Sequence, residues 1–356
     1  MTVLLTGGAG FIGQYLAHRL VHAGHDVVAI DLLLPQVHAD AEGARRSFPG
    51  PVVVGDVSDT TTWSDPGLSR GVTAVVHLAA ETGTGQSMYE TERYHRVNVD
   101  GTRLAAAHAV ALGVPLVSLS SRAVYGEGAY ACPEHGATTG SRCCRRAEPV
   151  PSHEDDPHHP VSVYGETKSL AEEAALAEVA GRVALTVVRP QNVIGPGQSL
   201  HNPYTGVLAA FLAMLREERP LTVYGDGHQT RDFVHVDDLA ALLAWAVLEP
   251  GHAAVPRVLN CGTGARTTLL ELAAAAIEGA PAADRTVTHL DVHRAGDIEH
   301  ACADLGRLRA LGAPVPTRTA HHAIVEFIRW SWDRPGAGAS AWDDALDELS
   351  RRGLTS

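Results

Sequence analysis

Positive charge is in short supply in this chain. Lysine and arginine together number 28 against 41 aspartates and glutamates, giving a formal net charge of -13 and a sequence pI near 5.8. That excess repels a nucleic-acid duplex and an anionic membrane surface, so neither is expected as a partner. Cysteine is sparse as well. There are five, an odd and scattered set, which argues against the disulfide framework of a small secreted domain. Long apolar runs are missing, and stretches such as 239–248 are too short to span a bilayer. No signal-peptide pattern precedes Val3-Leu4-Leu5, so a soluble cytoplasmic protein is the expectation.

What is present points to a large globular protein. The 356 residues are 45% hydrophobic, enough for a sizeable core and two lobes. Short apolar runs alternate with helical stretches: Val3-Leu4-Leu5, Val27-Val28-Ala29-Ile30, Val52-Val53-Val54, Ala74-Val75-Val76, Leu116-Val117-Ser118-Leu119 and Leu185-Thr186-Val187-Val188. Apolar strands with little alternation, separated by helices, predict an α/β fold with a doubly wound parallel sheet. The sheet domain is assigned to 1–188. A segment at 126–160, rich in Pro, Gly, His and Cys, reads as a surface insertion. Residues 189–334 are assigned to a smaller α/β substrate-binding lobe whose elements are allowed to return to the sheet. Residues 335–356 read as a linker and a short helix, with Trp342, Leu346 and Leu349 on one face.

Gly7-Gly8-Ala9-Gly10-Phe11-Ile12-Gly13 sits between the first strand and the first helix. That is the context a dinucleotide fingerprint requires. The glycines permit a tight turn and close backbone approach, and the helix N-terminus offers free N–H groups to a pyrophosphate. Asp31 ends the second strand, where a carboxylate binds ribose hydroxyls and repels a 2′-phosphate, so NAD is expected rather than NADP. Asp56 ends the third strand and is a candidate for the adenine amino group. Tyr164 and Lys168 lie four apart at a helix start, on one face. The lysine ammonium is expected to favour the phenolate and make Tyr164 a base for a hydroxyl proton.

With these residues in this order, together with Val57, His77-Leu78-Ala79-Ala80, Asn98, Ser120-Ser121, Val124-Tyr125-Gly126 and Tyr164-Gly165-Glu166-Thr167-Lys168, the chain resembles the extended short-chain dehydrogenase/reductases. Within them it is similar to the NAD-dependent epimerase/dehydratase family acting on nucleotide sugars. The resemblance implies a Rossmann domain with a nucleotide-sugar lobe, and a homodimer pairing the Tyr-bearing helix and its neighbour into a four-helix bundle. It implies Ser121, Tyr164 and Lys168 as catalytic residues. It places Gly7, Gly10, Phe11, Ile12, Gly13, Asp31, Asp56, Val57, Leu78, Ala79, Ala80, Asn98, Tyr164 and Lys168 at NAD. Thr82, Thr84, Ser121, Asn192, Asn202, Arg231, Arg294 and Asp297 are implied at the nucleotide-diphosphate sugar. The forked donors of the two arginines suit a diphosphate.

Members that dehydrate the sugar carry an Asp-Glu pair where this chain has Arg122 and Ala123, which disfavours a 4,6-dehydratase. The stretches 81–90, 195–200 and 202–206 and the Cys-bearing insertion resemble most the branch of 4-epimerases acting on dTDP-L-rhamnose. A nucleotide-sugar 4-epimerase working through a transient 4-keto sugar is therefore the leading expectation. A dTDP-4-keto-sugar reductase or dehydrogenase is the alternative, and a non-catalytic NAD-binding regulator the rival from another class. Cys132, His135, Cys143 and Cys144 offer zinc-type donors, but adjacent cysteines suit a regular tetrahedral site poorly and no second Cys-x-x-Cys follows. The insertion is therefore read as a flexible, metal-free loop near the active-site mouth.

Overall fold

A computed structural model describes residues 1–201, 206–281, 286–291, 296–336 and 338–354. Strand β1 (Thr2–Thr6) leads into helix α1 (Phe11–His22), followed by β2 (Asp26–Asp31), β3 (Val52–Val54) and β4 (Val72–His77). Helix α2 (Gly101–Leu112) and β5 (Leu116–Leu119) come next, then β6 (Ala129–Cys132), β7 (Gly136–Thr139) and β8 (Glu148–Val150). Helix α3 (Val163–Val179) and β9 (Leu185–Pro190) precede α4 (Val207–Arg216), α5 (Val236–Leu248) and β10 (Arg257–Cys261). Helices α6 (Leu269–Gly279), α7 (Ala320–Ser331) and α8 (Ala339–Arg351) complete the larger elements.

Seven strands form one sheet in the order β10-β9-β5-β4-β1-β2-β3, all parallel. Their apolar runs need cover on both faces, and they have it. Leu16 and Leu20 of α1 and Leu239, Leu242 and Leu243 of α5 pack with Val3, Leu5 and Val76 on one side. Ala106 and Ala109 of α2 and Ala175 and Val179 of α3 pack with Leu4, Val75 and Val187 on the other. The sheet is thus completed by β10, a strand from beyond residue 250. A separate core holds the second lobe, with Phe211, Leu215, Leu272, Ile324 and Phe327 at its centre. Burying each of these large side chains contributes roughly 1.5–3 kcal/mol.

One feature departs from the sequence expectation, and one that the sequence left open is settled. The insertion is not a featureless loop: β7 and β8 flank β6 in a three-stranded antiparallel meander. Its turns come from Pro133, Gly136 and Gly140, which sequence reading took only as breakers. Helix α8 docks. Trp342 packs against the lobe core, Asp343 pairs with Arg219 at 3.0 Å, and the Arg352 guanidinium lies 4.1 Å from the centre of the Tyr89 ring. Among the described residues no helix is long and apolar enough to cross a membrane.

Candidate active site

The C-terminal ends of the parallel strands open into a cleft of about 1410 Å³, where loops leaving β1, β2, β4, β5 and β9 meet the second lobe. That is where an open α/β sheet binds its ligand. The glycine loop forms one wall. Gly7 adopts φ 65°, and a Cβ there would lie 2.9 Å from the Ala79 nitrogen. A Cβ on Gly13 would sit 2.5 Å from the carbonyl oxygens of both Gly7 and Gly8, so the helix could not pack this close. Gly10 caps α1 with no side-chain bond, leaving the first-turn N–H groups aimed at the cleft. Asp31 accepts from the Ala9 N–H at 3.0 Å and the Leu33 N–H at 2.9 Å, which fixes its carboxylate at the loop. Phe11, Ile12, Asp56, Val57, Leu78, Ala79 and Ala80 continue the same wall.

Asn98 is different. It is buried behind the cleft, and its amide accepts from the Glu81 N–H at 2.8 Å and donates to Glu81 O at 3.2 Å and Thr167 Oγ at 3.0 Å. It ties the loop after β4 to α3. The π-helical turn at His95–Asp100 turns it inward.

Helix α3 begins at Ser162, whose hydroxyl accepts from the Gly165 N–H at 3.1 Å, while the Tyr164 N–H donates to Ser87 Oγ at 3.0 Å. These two caps set the angle at which Tyr164 and Lys168 enter the cleft beside Ser121. Burial pushes the Tyr164 phenol above its ordinary value; a hydrogen bond with Ser121 and the charge of Arg122 pull in the opposite direction. The Lys168 ammonium donates to Leu119 O at 2.8 Å, and Arg122 is a second cation at the cleft whose charge favours the phenolate. Burial brings Lys168 itself down to about 8, opposed by the Glu172 carboxylate.

On the lobe side, Thr82, Thr84, Asn192, Arg231 and Asp297 line the cleft. Arg231 donates to Ile298 O at 2.8 Å and Thr230 O at 2.9 Å, which holds its guanidinium against the segment at 298–299. Asn202 and Arg294 lie outside the described residues. Arg231 also stands close enough to Arg122 to disfavour its charge, and burial with that repulsion brings Arg122 down to about 10. Two cations facing one cleft suit an anionic ligand.

Residues 3–262 match the NAD dependent epimerase/dehydratase family. The chain belongs to that family. Its cofactor is NAD. A dTDP-L-rhamnose 4-epimerase of Burkholderia thailandensis is 38% identical over 350 residues, covering 92% of this chain and 94% of that protein. A UDP-glucose 4-epimerase of Mycolicibacterium smegmatis is 32% identical, covering 92% and 99%. The structure of the Thermus thermophilus UDP-glucose 4-epimerase in complex with NAD superimposes with a TM-score of 0.77 at 26% identity, covering 94% of this chain and all of that one.

Sequence reading of this epimerase/dehydratase member missed a buried polar network under the candidate catalytic residues. Glu172, one turn beyond Lys168 on α3, accepts from Arg189 Nε at 2.9 Å and Nη2 at 2.6 Å, and from Ser120 Oγ. Arg189 also donates to Tyr125 Oη at 2.7 Å, and Tyr125 donates to Asn260 Oδ1 at 2.8 Å. A signal was present: Glu172 follows Tyr164 and Lys168 at four-residue steps, so all three share a helix face. Lys168 is also the only lysine in the chain.

Proposed function

We propose that the protein is an NAD-dependent nucleotide-sugar 4-epimerase in which Ser121, Tyr164 and Lys168 carry the chemistry. The observation that carries this reading is their convergence in the cleft that the glycine loop and Asp31 enter from the other side. Tyr164, oriented by Ser121, takes the proton of the sugar 4-hydroxyl. Gly7, Gly10, Gly13 and Asp31 would hold NAD along the glycine loop, where it would supply a reversible hydride acceptor for C4 of the sugar. Lys168 holds the nicotinamide ribose hydroxyls. Ser121 grips the reacting oxygen, Thr82 and Thr84 face the hexose, Asn192, Asn202, Arg231 and Arg294 bind the diphosphate, and Asp297 binds a ribose hydroxyl. Asp31 favours the unphosphorylated adenosine ribose. The names of the two sequence relatives support a dTDP- or UDP-hexose substrate.

Dehydration is disfavoured by the cation at Arg122 and the methyl group at Ala123, since removal of water needs an acid and a base there. Net reduction of a 4-keto sugar by exchangeable NADH is the second reading within this fold. The deciding experiment incubates the protein with a panel of dTDP- and UDP-hexoses without added cofactor and determines product stereochemistry. Inversion at C4 with no net change in NADH absorbance is expected. Strict dependence on added NADH would overturn epimerisation in favour of the reductase. Tyr164→Phe should cut turnover by roughly 10²–10⁴ while NAD stays bound.

The proposal extends to a cytoplasmic homodimer joined through α2 and α3. Those helices pack side by side, and Leu176 of α3 is left exposed. Light scattering of the purified protein tests the assembly, and a monomer would remove that part.

A further inference from the structure

The meander β6–β8 is too small to hold itself together by apolar burial. Its buried core is Tyr130, Cys132 and Ala147, with Cys144 packed alongside. Three short strands with so little core need a staple. Four side chains converge where one belongs. Cys132 ends β6, and the turn through Pro133 and Glu134 brings His135 back, with Cys132 paired to Gly136 across the strands. The Ala147 N–H donates to Cys144 O at 3.1 Å, closing a second turn. One donor atom from each of Cys132, His135, Cys143 and Cys144 lies within 4.8 Å of all the others.

We propose that these four residues hold a structural zinc ion that organises the rim of the cleft. Zinc–sulfur and zinc–nitrogen bonds of about 2.3 Å and 2.0–2.1 Å give a regular tetrahedron edges of about 3.8 Å between sulfurs and about 3.5 Å between sulfur and nitrogen. Cys132 Sγ lies 3.6 Å from Cys144 Sγ and 3.4 Å from His135 Nδ1, close to those edges. The fold removes the objection from adjacent cysteines. That objection holds for a strand, whose successive side chains point to opposite faces. Cys143 and Cys144 lie between strands, at the entrance to a turn, and both sulfurs reach the same point. Three thiolates and a neutral imidazole around Zn²⁺ carry one net negative charge. The following residues Arg145 and Arg146 place cations beside it.

None of the four ligands lines the cleft, and all four positions of a tetrahedron are filled by protein, as in structural zinc sites. The link to the cleft runs through the meander's own rim residues. Arg142 lines the cleft, is held by Ala147 O at 3.2 Å and Arg145 O at 3.1 Å, and reaches toward Glu299 at 3.8 Å. Glu127 accepts from the Glu299 N–H at 2.7 Å and from Tyr130 Oη at 3.0 Å. The ion therefore steadies the segment at 298–299 against which the Arg231 guanidinium is held.

The test is elemental analysis of full-length protein made in zinc-supplemented medium and purified without chelator, followed by reconstitution of chelator-stripped protein with cobalt(II). One zinc per chain is expected, with the intense visible bands of tetrahedral thiolate-bound cobalt after exchange. Cys143→Ser and Cys144→Ser, at sites less buried than Cys132, should each lose the ion yet still bind NAD, and KM should rise more than kcat falls. Absence of metal after reconstitution overturns the proposal, as does a Cys132–Cys144 disulfide in peptide mass mapping of the protein as purified. Full zinc retained by the Cys143→Ser/Cys144→Ser double variant overturns the ligand set.

Discussion

Lys168 Nζ and Leu119 O are 2.8 Å apart, which anchors the ammonium to the end of β5 and points the helix face of Tyr164 at the cleft. That amine is buried and its proton is loosened to about 8 by desolvation. Because the chain has no other lysine, protein made with ¹³C-labelled lysine gives a single side-chain signal. Its titration should have a midpoint near 8, far below the ordinary lysine value near 10.5. Glu172→Gln removes the carboxylate that opposes the shift, so the midpoint should fall further. An unshifted midpoint in the wild type would contradict the buried placement.

Arg122 occupies a position where sequence reading saw only the loss of a dehydratase acid. In the structure its positive charge lowers the energy of the Tyr164 phenolate. Replacing it with Gln removes that stabilisation, so the Tyr164 pKa rises. The acid limb of the kcat/KM profile, where the base gains its proton, should move to higher pH. Arg122→Lys should retain much of the wild-type limb. A profile unchanged in Arg122→Gln would mean that the cation serves the ligand alone.

The parallel sheet, the glycine loop and the Tyr164 helix were legible because each is local: a run of apolar residues, a turn that only glycine permits, a four-residue step on one helix. The meander at 126–160 was not legible, since its strands are short and its organising contacts join Cys132 to Cys144 across a turn. The four-residue steps put Glu172 on the Tyr164 face, but its pairing with Arg189 was not legible, for a related reason. Nothing in spacing says that a strand-end arginine and a helix glutamate 17 residues before it face each other in the interior. The hydrogen bonds that tie the Asn98 amide to Glu81 and Thr167 were not legible either, because they join residues 17 and 69 positions apart.

That Glu172–Arg189 pair makes a stability prediction. Both side chains are about 5% exposed, and two N–H groups meet two carboxylate oxygens. Removing one partner strands a buried charge, at a cost of about 3–5 kcal/mol. Urea unfolding of Glu172→Leu and Arg189→Met singly should show losses of that size. The double variant should lose less than the sum, because no uncompensated charge remains. Additive losses would mean the pair contributes nothing as a pair.

His77 sets the response to acid. Thr6 Oγ1 accepts from the N–H groups of Leu78 and Ala79, both at 3.1 Å, so its own proton goes to His77 Nδ1 at 2.8 Å. The imidazole is thereby held neutral with its proton on Nε2, which is buried without a partner. Desolvation, helped by the nearby Lys168 charge, brings its pKa from 6.5 to about 3. The unfolded chain therefore binds one more proton than the folded protein between about 6.5 and about 3. Stability contributed by the neutral ring is fully present above that window and falls by about 1.4 kcal/mol per pH unit on descending through it. His77→Asn keeps an acceptor for Thr6 and has nothing to titrate. Its urea midpoints should start lower near neutrality and then decline less steeply with acid than the wild type's. Parallel declines in the two proteins would show that some other group carries the acid sensitivity.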